Sequence, residues 1–268
     1  MHRFHLPPEQ CRTPLLSMRD REAYHAIHVL RLAAGEKVVV LDGAGQELHC
    51  EVLEAVRDCI QLKVAERKQI PPLPYQITLL QAVPKAKLIE DIIEKAVELG
   101  VHRVVPLLTE RVVMQLDAGG AESKAAKWRQ TAVEAIKQSG NAWLPQIDTP
   151  LTLQAFLARR ESFDLALIGA LQKDRRHPRE HIQNFIQTHQ RLPQSIAVWI
   201  GPEGDFTPAE VALACSAGAL PISLGRLVLR CETAATYCLS FLNYELQAVD
   251  RGQGLSPELV TGRGHGLG

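Results

Sequence analysis

Residues 69–74 read Gln69-Ile70-Pro71-Pro72-Leu73-Pro74, with three prolines in four positions. No helix or central strand runs through such a segment, because each proline removes a backbone N–H and fixes φ. The break separates two different periodicities. Before it, Val38-Val39-Val40-Leu41, the turn residues Asp42-Gly43-Ala44-Gly45, then Glu47 to Val52 and Cys59 to Val64 predict short strands of a small β-barrel, with one helix near Arg19 to Leu32. After it, Ile77 to Val83 reads as a buried strand and Pro84 to Leu99 as a helix stopped by Gly100. Val101 to Leu108 is the next strand, followed by a long helix from Ala121 to Ser139 and a shorter one over Leu153 to Arg160. Strands at Asp164 to Gly169 and Ser195 to Gly201 enclose a helix over Pro178 to Gln190. Thr207, Pro208 and Glu210 form a strong helix start, since the threonine caps, the proline suits the first position and the glutamate reaches back. A strand over Ala219 to Leu224 and a helix over Glu232 to Val249 complete the pattern. Alternation of this kind predicts an α/β domain with a mostly parallel sheet and helices on both faces. The expected division is 1–73, 74–250, and a glycine-rich tail over 251–268 that is expected to be disordered.

Composition narrows the function. Lys plus Arg number 30 against 30 Asp plus Glu, so any nucleic-acid affinity must come from local patches rather than bulk charge. The longest stretches free of charge fall short of the roughly 18 apolar residues of a membrane span, and Met1 to His5 does not begin a signal peptide. The expectation is a cytoplasmic protein without a membrane partner. Six cysteines at 11, 50, 59, 215, 231 and 238 form no C-x-x-C pair, which predicts reduced thiols and no metal site. No G-x-G-x-x-G or P-loop follows a strand, which argues against a nucleotide-dependent α/β enzyme of the usual kinds.

In open parallel sheets ligands collect beyond the carboxyl ends of the strands. Three such exits stand out: Ile168-Gly169-Ala170, then Ile200-Gly201-Pro202-Glu203-Gly204-Asp205-Phe206, then Leu224-Gly225-Arg226 through Arg230-Cys231-Glu232-Thr233-Ala234. In the second, two glycines around Pro-Glu let the chain turn with exposed amides and hold a carboxylate at the mouth of the sheet. Taken alone, the run also reads as an ordinary turn with a solvated Glu203. In the third, Arg230 and Glu232 flank the start of an apolar helix, which suits either an anion facing the arginine or helix-end electrostatics with a salt bridge.

At this point the chain resembles the RsmE type of SPOUT-class RNA methyltransferases, over nearly its whole length from Arg3 to about Leu246. In the first domain the resemblance lies in Arg3-Phe4, His25, Val29-Leu30-Arg31, Gly35 and Asp42-Gly43. In the second it lies in Lys85, Lys95 to Val101, Pro106, Thr109-Glu110-Arg111 and Gln138-Ser139, with Ile200 to Gly204, Leu224-Gly225, Leu229-Arg230 and Glu232 to Ala234 carrying the most specific part. The resemblance implies a PUA-like β-barrel for RNA, followed by an α/β SPOUT domain with a deep trefoil knot. It also implies S-adenosylmethionine held among three knot loops, a homodimer that completes the site, and methylation of N3 of a uridine in 16S rRNA of the small ribosomal subunit.

Carried over residue by residue, the cofactor would meet Ile168, Gly169, Ile200, Gly201, Pro202, Gly204, Leu224, Gly225 and Leu229, which offer an apolar slot without a phosphate cradle. Arg230 is the candidate stabiliser of the developing uridine anion, since a guanidinium forks to a carbonyl oxygen as it gains charge. Glu203 is a candidate general base if burial raises its pKa, and Glu232 is expected to fix Arg230 or the helix start. RNA contacts are expected at Arg3, His25, Arg31, Lys85, Lys87 and Arg111, although each cation taken singly also reads as a solvated surface charge. The Lys173 to His177 run is basic as well.

Five positions depart from the family's pattern: Asp205 stands where a further glycine is common, Leu227 where arginine is usual, and Cys231 for threonine. Around Gln138-Ser139 stand Lys137 and Asn141 where glutamate and arginine are usual. These departures keep open a catalytically inactive RNA-binding or ribosome-assembly protein of the same fold.

Overall fold

The computed structural model describes residues 1–56, 58–85, 88–112, 117–171 and 175–247. Lys87, Lys173, Asp174 and the tail over 251–268 lie outside them. The chain divides into two compact units. Met1–Leu73 and Gln130–Pro145 form the first, while Pro74–Arg129 and the described residues from Gln146 onward form the second. Residues 130–145 therefore belong with the N-terminal unit, which a single boundary at 73 does not provide for.

In the first unit β1 (His2–His5), β2 (Leu15–Arg19), β3 (Lys37–Leu41), β4 (Gln46–Val56) and β5 (Cys59–Gln69) form one sheet in the order β1-β3-β4-β5-β2. β1 runs parallel to β3 and the other pairs are antiparallel. This five-stranded sheet forms a half-barrel. Alternation sends Phe4, Leu16, Met18, Val38, Val40, Leu48, Ile60 and Leu62 into one apolar core, as period-two strands require when one face is buried. The helix expected over Arg19 to Leu32 is shorter and irregular: α1 (Asp20–Tyr24) passes into a π-turn over His25–Val29. Left-handed backbone at Asp20 (φ 53°) and Arg31 (φ 56°) bounds it at both ends.

In the second unit β6 (Gln76–Ala82), α2 (Leu88–Glu98), β7 (Arg103–Leu108), the first part of α3 (Ala118–Ser139), β8 (Gln146–Ile147), β9 (Leu151–Thr152) and α4 (Leu153–Ala158) come first. They are followed by β10 (Leu165–Gly169), α5 (Pro178–His189), β11 (Ser195–Ile200), α6 (Pro208–Ser216), β12 (Leu220–Ile222) and α7 (Cys231–Gln247). The strand order is β12-β10-β11-β6-β7-β8, with β9 also pairing β7, and every pair is parallel. The strands read as continuous apolar runs because the middle of the sheet is buried: Leu79, Leu80, Val104, Val105, Ala197 and Val198 have no exposed surface. α7 packs on α2 and against β11 and β6, and α5 packs against β10. At the start of β7, Arg103 pairs with Asp148 and Glu161, and Arg159 pairs with the same Asp148. In a parallel sheet this network lies at the end of β7 opposite the carboxyl exits.

Candidate active site

The three exits meet because their strands end in step. β10 lies between β12 and β11, and Gly169 pairs with Ile200 on one side and Ile222 on the other. Parallel strands in this register deliver their following loops to one edge. A cavity of about 420 Å³ opens there, within the roughly 300–1,000 Å³ of small-molecule sites. Gly169, Ala170, Leu171 and Arg175 line it from the first loop, and Ile200, Gly201, Pro202, Glu203 and Asp205 from the second. Leu224, Gly225 and Leu227 to Arg230 line it from the third, with Cys231, Glu232 and Ala234 from α7 and Leu88 from α2.

Most of the cofactor residues expected from sequence thus face one space, but two do not. Ile168 is fully buried in the apolar core with Trp199 and Phe206, because alternation along β10 sends it opposite to Gly169. Gly204 lies outside the lining, and its carbonyl accepts a hydrogen bond from the Arg111 guanidinium. The apolar part of the wall is Ile200, Ile222, Leu224 and Leu229. Gly169 lies against this wall, since a Cβ there would be in ordinary van der Waals contact, 3.5 Å, with both Ile200 Cδ1 and Leu224 Cδ1. Carboxylates of Glu203, Asp205 and Glu232 border it, together with Arg175 and Arg230. An apolar slot bordered by both carboxylates and guanidinium groups suits a ligand that joins an apolar ring to charged groups of both signs.

The second loop is braced from three directions. Glu203 Oε1 accepts the Lys85 amide at 2.9 Å, Arg111 donates to the Gly204 carbonyl, and Asp205 Oδ2 accepts the Leu171 amide at 2.9 Å. Just beyond, Thr207 and Glu210 form the expected capping box, with the Thr207 amide donating to Glu210 Oε2 at 2.9 Å. The other oxygen of the buried Glu210 accepts the Glu110 amide at 2.8 Å, tying α6 to the end of β7. Glu203 is exposed, so the burial that a general base would require is not what this position provides. Its visible work is holding the loop.

At the third loop Arg230 is exposed and makes no side-chain hydrogen bond or ion pair among the described residues. Glu232 does not pair with it. Instead Glu232 accepts from the Cys231 thiol at 3.4 Å and sits in the first turn of α7, where a negative charge is favourable. Burial pushes the Cys231 thiol up to about 12, helped by its bond to Glu232 and the nearby Glu203 charge, so it stays neutral.

The expected RNA contacts divide. Arg3 donates to the carbonyls of Lys137 at 3.4 Å and Gln138 at 3.1 Å. It lies over Gly140, where a Cβ would come within 3.0 Å of its guanidinium. It thereby serves the carbonyl end of α3, where a cation is favourable. His25 is half-buried with its ring 6.3 Å from that of Phe4, while Arg31 and Lys85 are exposed. Arg111 is committed to Gly204. Lys137, one of the departures, is buried and pairs with Glu22 at 2.7 Å and Glu134 at 2.8 Å. Asn141 Oδ1 accepts the Trp143 amide at 2.9 Å.

Sequence reasoning passes over Leu88 and Ile222 as wall residues, and names Arg175 only within a basic run and Asp205 only as a loop residue and a departure. Asp205 follows the Gly-Pro-Glu-Gly run directly, so its place in the loop was a signal. Nothing in the sequence marks Leu88 as a wall residue. Among the described residues no group of three or more His, Cys, Asp or Glu side chains is placed to hold a metal. No described helix is long and apolar enough to cross a membrane.

An RNA methyltransferase domain family matches residues 71–243, and an RNA methyltransferase PUA domain family matches residues 19–64. The ribosomal RNA small subunit methyltransferase E of Bacillus subtilis is 29% identical over 237 residues, covering 87% of this chain and 91% of the relative. The protein of the same name from Synechocystis is 31% identical over 252 residues, covering 92% and 78%. A Legionella pneumophila protein described as a methyltransferase, solved with S-adenosylmethionine bound, superposes with a TM-score of 0.81 at 30% identity, covering 92% of this chain and 97% of that one.

Proposed function

The chain belongs to the family of ribosomal RNA small subunit methyltransferases E, and on that premise we propose that it methylates N3 of a uridine in 16S rRNA, the family target being uracil 1498. The observation that carries this reading is the single cavity walled by all three strand exits, with Arg230 on its rim. S-adenosylmethionine, when bound, supplies an electrophilic methyl group on a positively charged sulfur. Ile200, Ile222, Leu224 and Leu229 would take its adenine, the backbone around Gly169, Gly201 and Gly225 its polar edge, and the carboxylates of Glu203 and Glu232 its positive charge.

The chain's own residues do the remaining work. Arg230, exposed and unpaired among the described residues, meets the uracil carbonyl oxygen as N3 loses its proton to water and the ring gains negative charge. Electrostatic stabilisation of this kind is the largest single contribution in many active sites. Holding donor and acceptor in line adds to it. Glu203 keeps the second loop in place through Lys85, and Glu232 serves the start of α7. For RNA, the exposed Arg31 and Lys85 and the half-buried His25 are better placed than Arg3 and Arg111, which are engaged within the protein.

We further read the chain as a homodimer with a trefoil knot, acting in the cytoplasm where ribosomes are assembled. Support for a partner copy comes from apolar side chains left open in the second unit: Leu227 is 79% exposed, Val228 74% and Tyr244 75%. Tyr237 and Tyr244 are seven residues apart on α7, hence on one face. The strand order β12-β10-β11, which brings the last strand back beside the first of the three, supports the knot.

The decisive experiment gives purified protein labelled S-adenosylmethionine and small subunits from a strain lacking the enzyme, then maps the label by mass spectrometry. One methyl on N3 of one uridine is expected. Subunit binding without methyl transfer would favour the non-catalytic alternative, which the departure at Leu227 brings to mind.

A further inference from the structure

Asp205 occupies a position that suits glycine. Its φ is +62°, in the left-handed region that glycine enters freely and that aspartate tolerates better than most residues. The side chain gives that conformation a purpose. Oδ2 accepts the Leu171 amide at 2.9 Å, while the Asp205 amide itself donates to the Pro202 carbonyl at 2.9 Å to close the turn. One residue therefore ties the first loop to the second, and both loops wall the cavity. Leu171 is 53% exposed, so packing alone does little to hold this part of the first loop.

We propose that Asp205 is a positioning residue for the methyl donor, a latch that keeps the first loop against the Gly-Pro-Glu-Gly turn so that the cavity is formed before its ligand arrives. The inference rests on the reading of that cavity as the S-adenosylmethionine site. Preorganisation lowers the ordering cost of binding and so appears as affinity rather than as chemistry. The hydrogen bond, not the charge, is the working part: an asparagine amide oxygen can accept from the same Leu171 N–H.

The test compares the parent chain with Asp205→Gly and Asp205→Asn, using calorimetric titration with S-adenosylmethionine and amide hydrogen exchange at Leu171 in the free protein. Asp205→Gly relieves the left-handed backbone, so its melting temperature is expected to be unchanged or higher. Its cofactor Kd is expected to rise about tenfold, the upper size of one lost hydrogen bond, with Leu171 exchanging faster and kcat at saturating cofactor within about twofold. Asp205→Asn should restore both affinity and protection to within about threefold of the parent. Equal affinity in Asp205→Gly overturns the latch, as does an Asp205→Asn protein as weak as Asp205→Gly. A parent chain that fails to bind S-adenosylmethionine overturns the reading of the cavity, and with it the role of Asp205, whatever Leu171 exchange shows.

Discussion

Between Ile200 and Thr207 the chain is tied to three neighbouring loops, through Lys85, Arg111 and Leu171. Between Ser223 and Arg230 it has, among the described residues, little beyond local bonds: the Ser223 hydroxyl with Gly225, the Arg230 carbonyl accepting from the Ala234 amide at 2.8 Å, and one main-chain bond from the Ser223 amide to the Arg176 carbonyl at 2.9 Å. The first segment ends in a capped helix, whereas the second carries Leu227 and Val228 almost wholly open to solvent. Both line the same cavity. A braced wall suits a cofactor that must be seated in one pose, and a lightly held arm bearing a guanidinium with no partner among the described residues suits a substrate that arrives with its own shape and charge. On the proposed reading the second loop and the apolar side chains of the third seat the cofactor while Arg230 carries the chemistry, so substitutions in the second loop and at Arg230 should separate Kd from kcat.

The largest effect is expected at Arg230. Arg230→Ala should lower kcat about 100–1,000-fold, as loss of a single stabilising donor does elsewhere, while Kd for S-adenosylmethionine stays within about threefold. Single-turnover kinetics and calorimetry together check this, and near-parental turnover would move the chemistry off the third loop. Next comes Gly201→Val in the braced loop. A Cβ at Gly201 would lie 3.1 Å from the Phe206 backbone nitrogen and 3.1 Å from Asp205 Oδ1, so the added bulk strains the loop itself rather than simply filling the cavity. Overpacking costs about 1–3 kcal/mol, which, if borne wholly by the bound state, corresponds to a Kd weakened about 5–150-fold; undiminished binding would reject the seat.

Arg111→Ala gives a smaller and more discriminating change. If Arg111 braces Gly204, its loss should weaken cofactor binding about threefold to tenfold, near the value of one hydrogen bond, with RNA affinity unaffected. A change confined to RNA binding would return Arg111 to the role the sequence suggests. Smallest at the site is Asp148→Asn, which acts on the opposite end of β7. Burial works against the Asp148 charge, but hydrogen bonds from Arg103 and Arg159 outweigh it and hold the carboxyl below its usual 3.8. Its stabilisation is therefore complete above the ordinary aspartate range and is lost as pH falls below it, through the lowered value. The substitution should cost about 2–3 kcal/mol near neutral pH by leaving two arginines short of a carboxylate. Denaturant melts across pH should show the acid slope diminished, with cofactor affinity near pH 7 within about twofold.

Much of this was legible in the residues. Apolar runs bounded by glycine and proline located most of the strands, and Thr207-Pro208-Glu210 announced a cap that the coordinates realise atom by atom. Other parts left no local trace. β1 and β2 are four and five residues long, too short to establish a period, and β1 owes its place to pairing with β3, more than thirty residues away along the chain. The π-turn after α1 interrupts what periodicity presents as one helix. At the site, residue type located the three loops but not the direction of each side chain. Ile168 and Gly169 are neighbours in sequence and face opposite ways, and Arg3 and Arg111, which read as free cations, spend their donors on backbone carbonyls. Such bonds join segments about 90 to 135 residues apart, a distance over which local pattern carries no information.

Hydrogen–deuterium exchange with and without S-adenosylmethionine tests the central claim most directly. If the three strand exits close on one methyl donor, added cofactor should slow exchange together at Gly169 to Leu171, Ile200 to Asp205 and Ser223 to Cys231, with the half-barrel of the first unit unchanged. Protection in a single loop, or at a site away from all three, would contradict it.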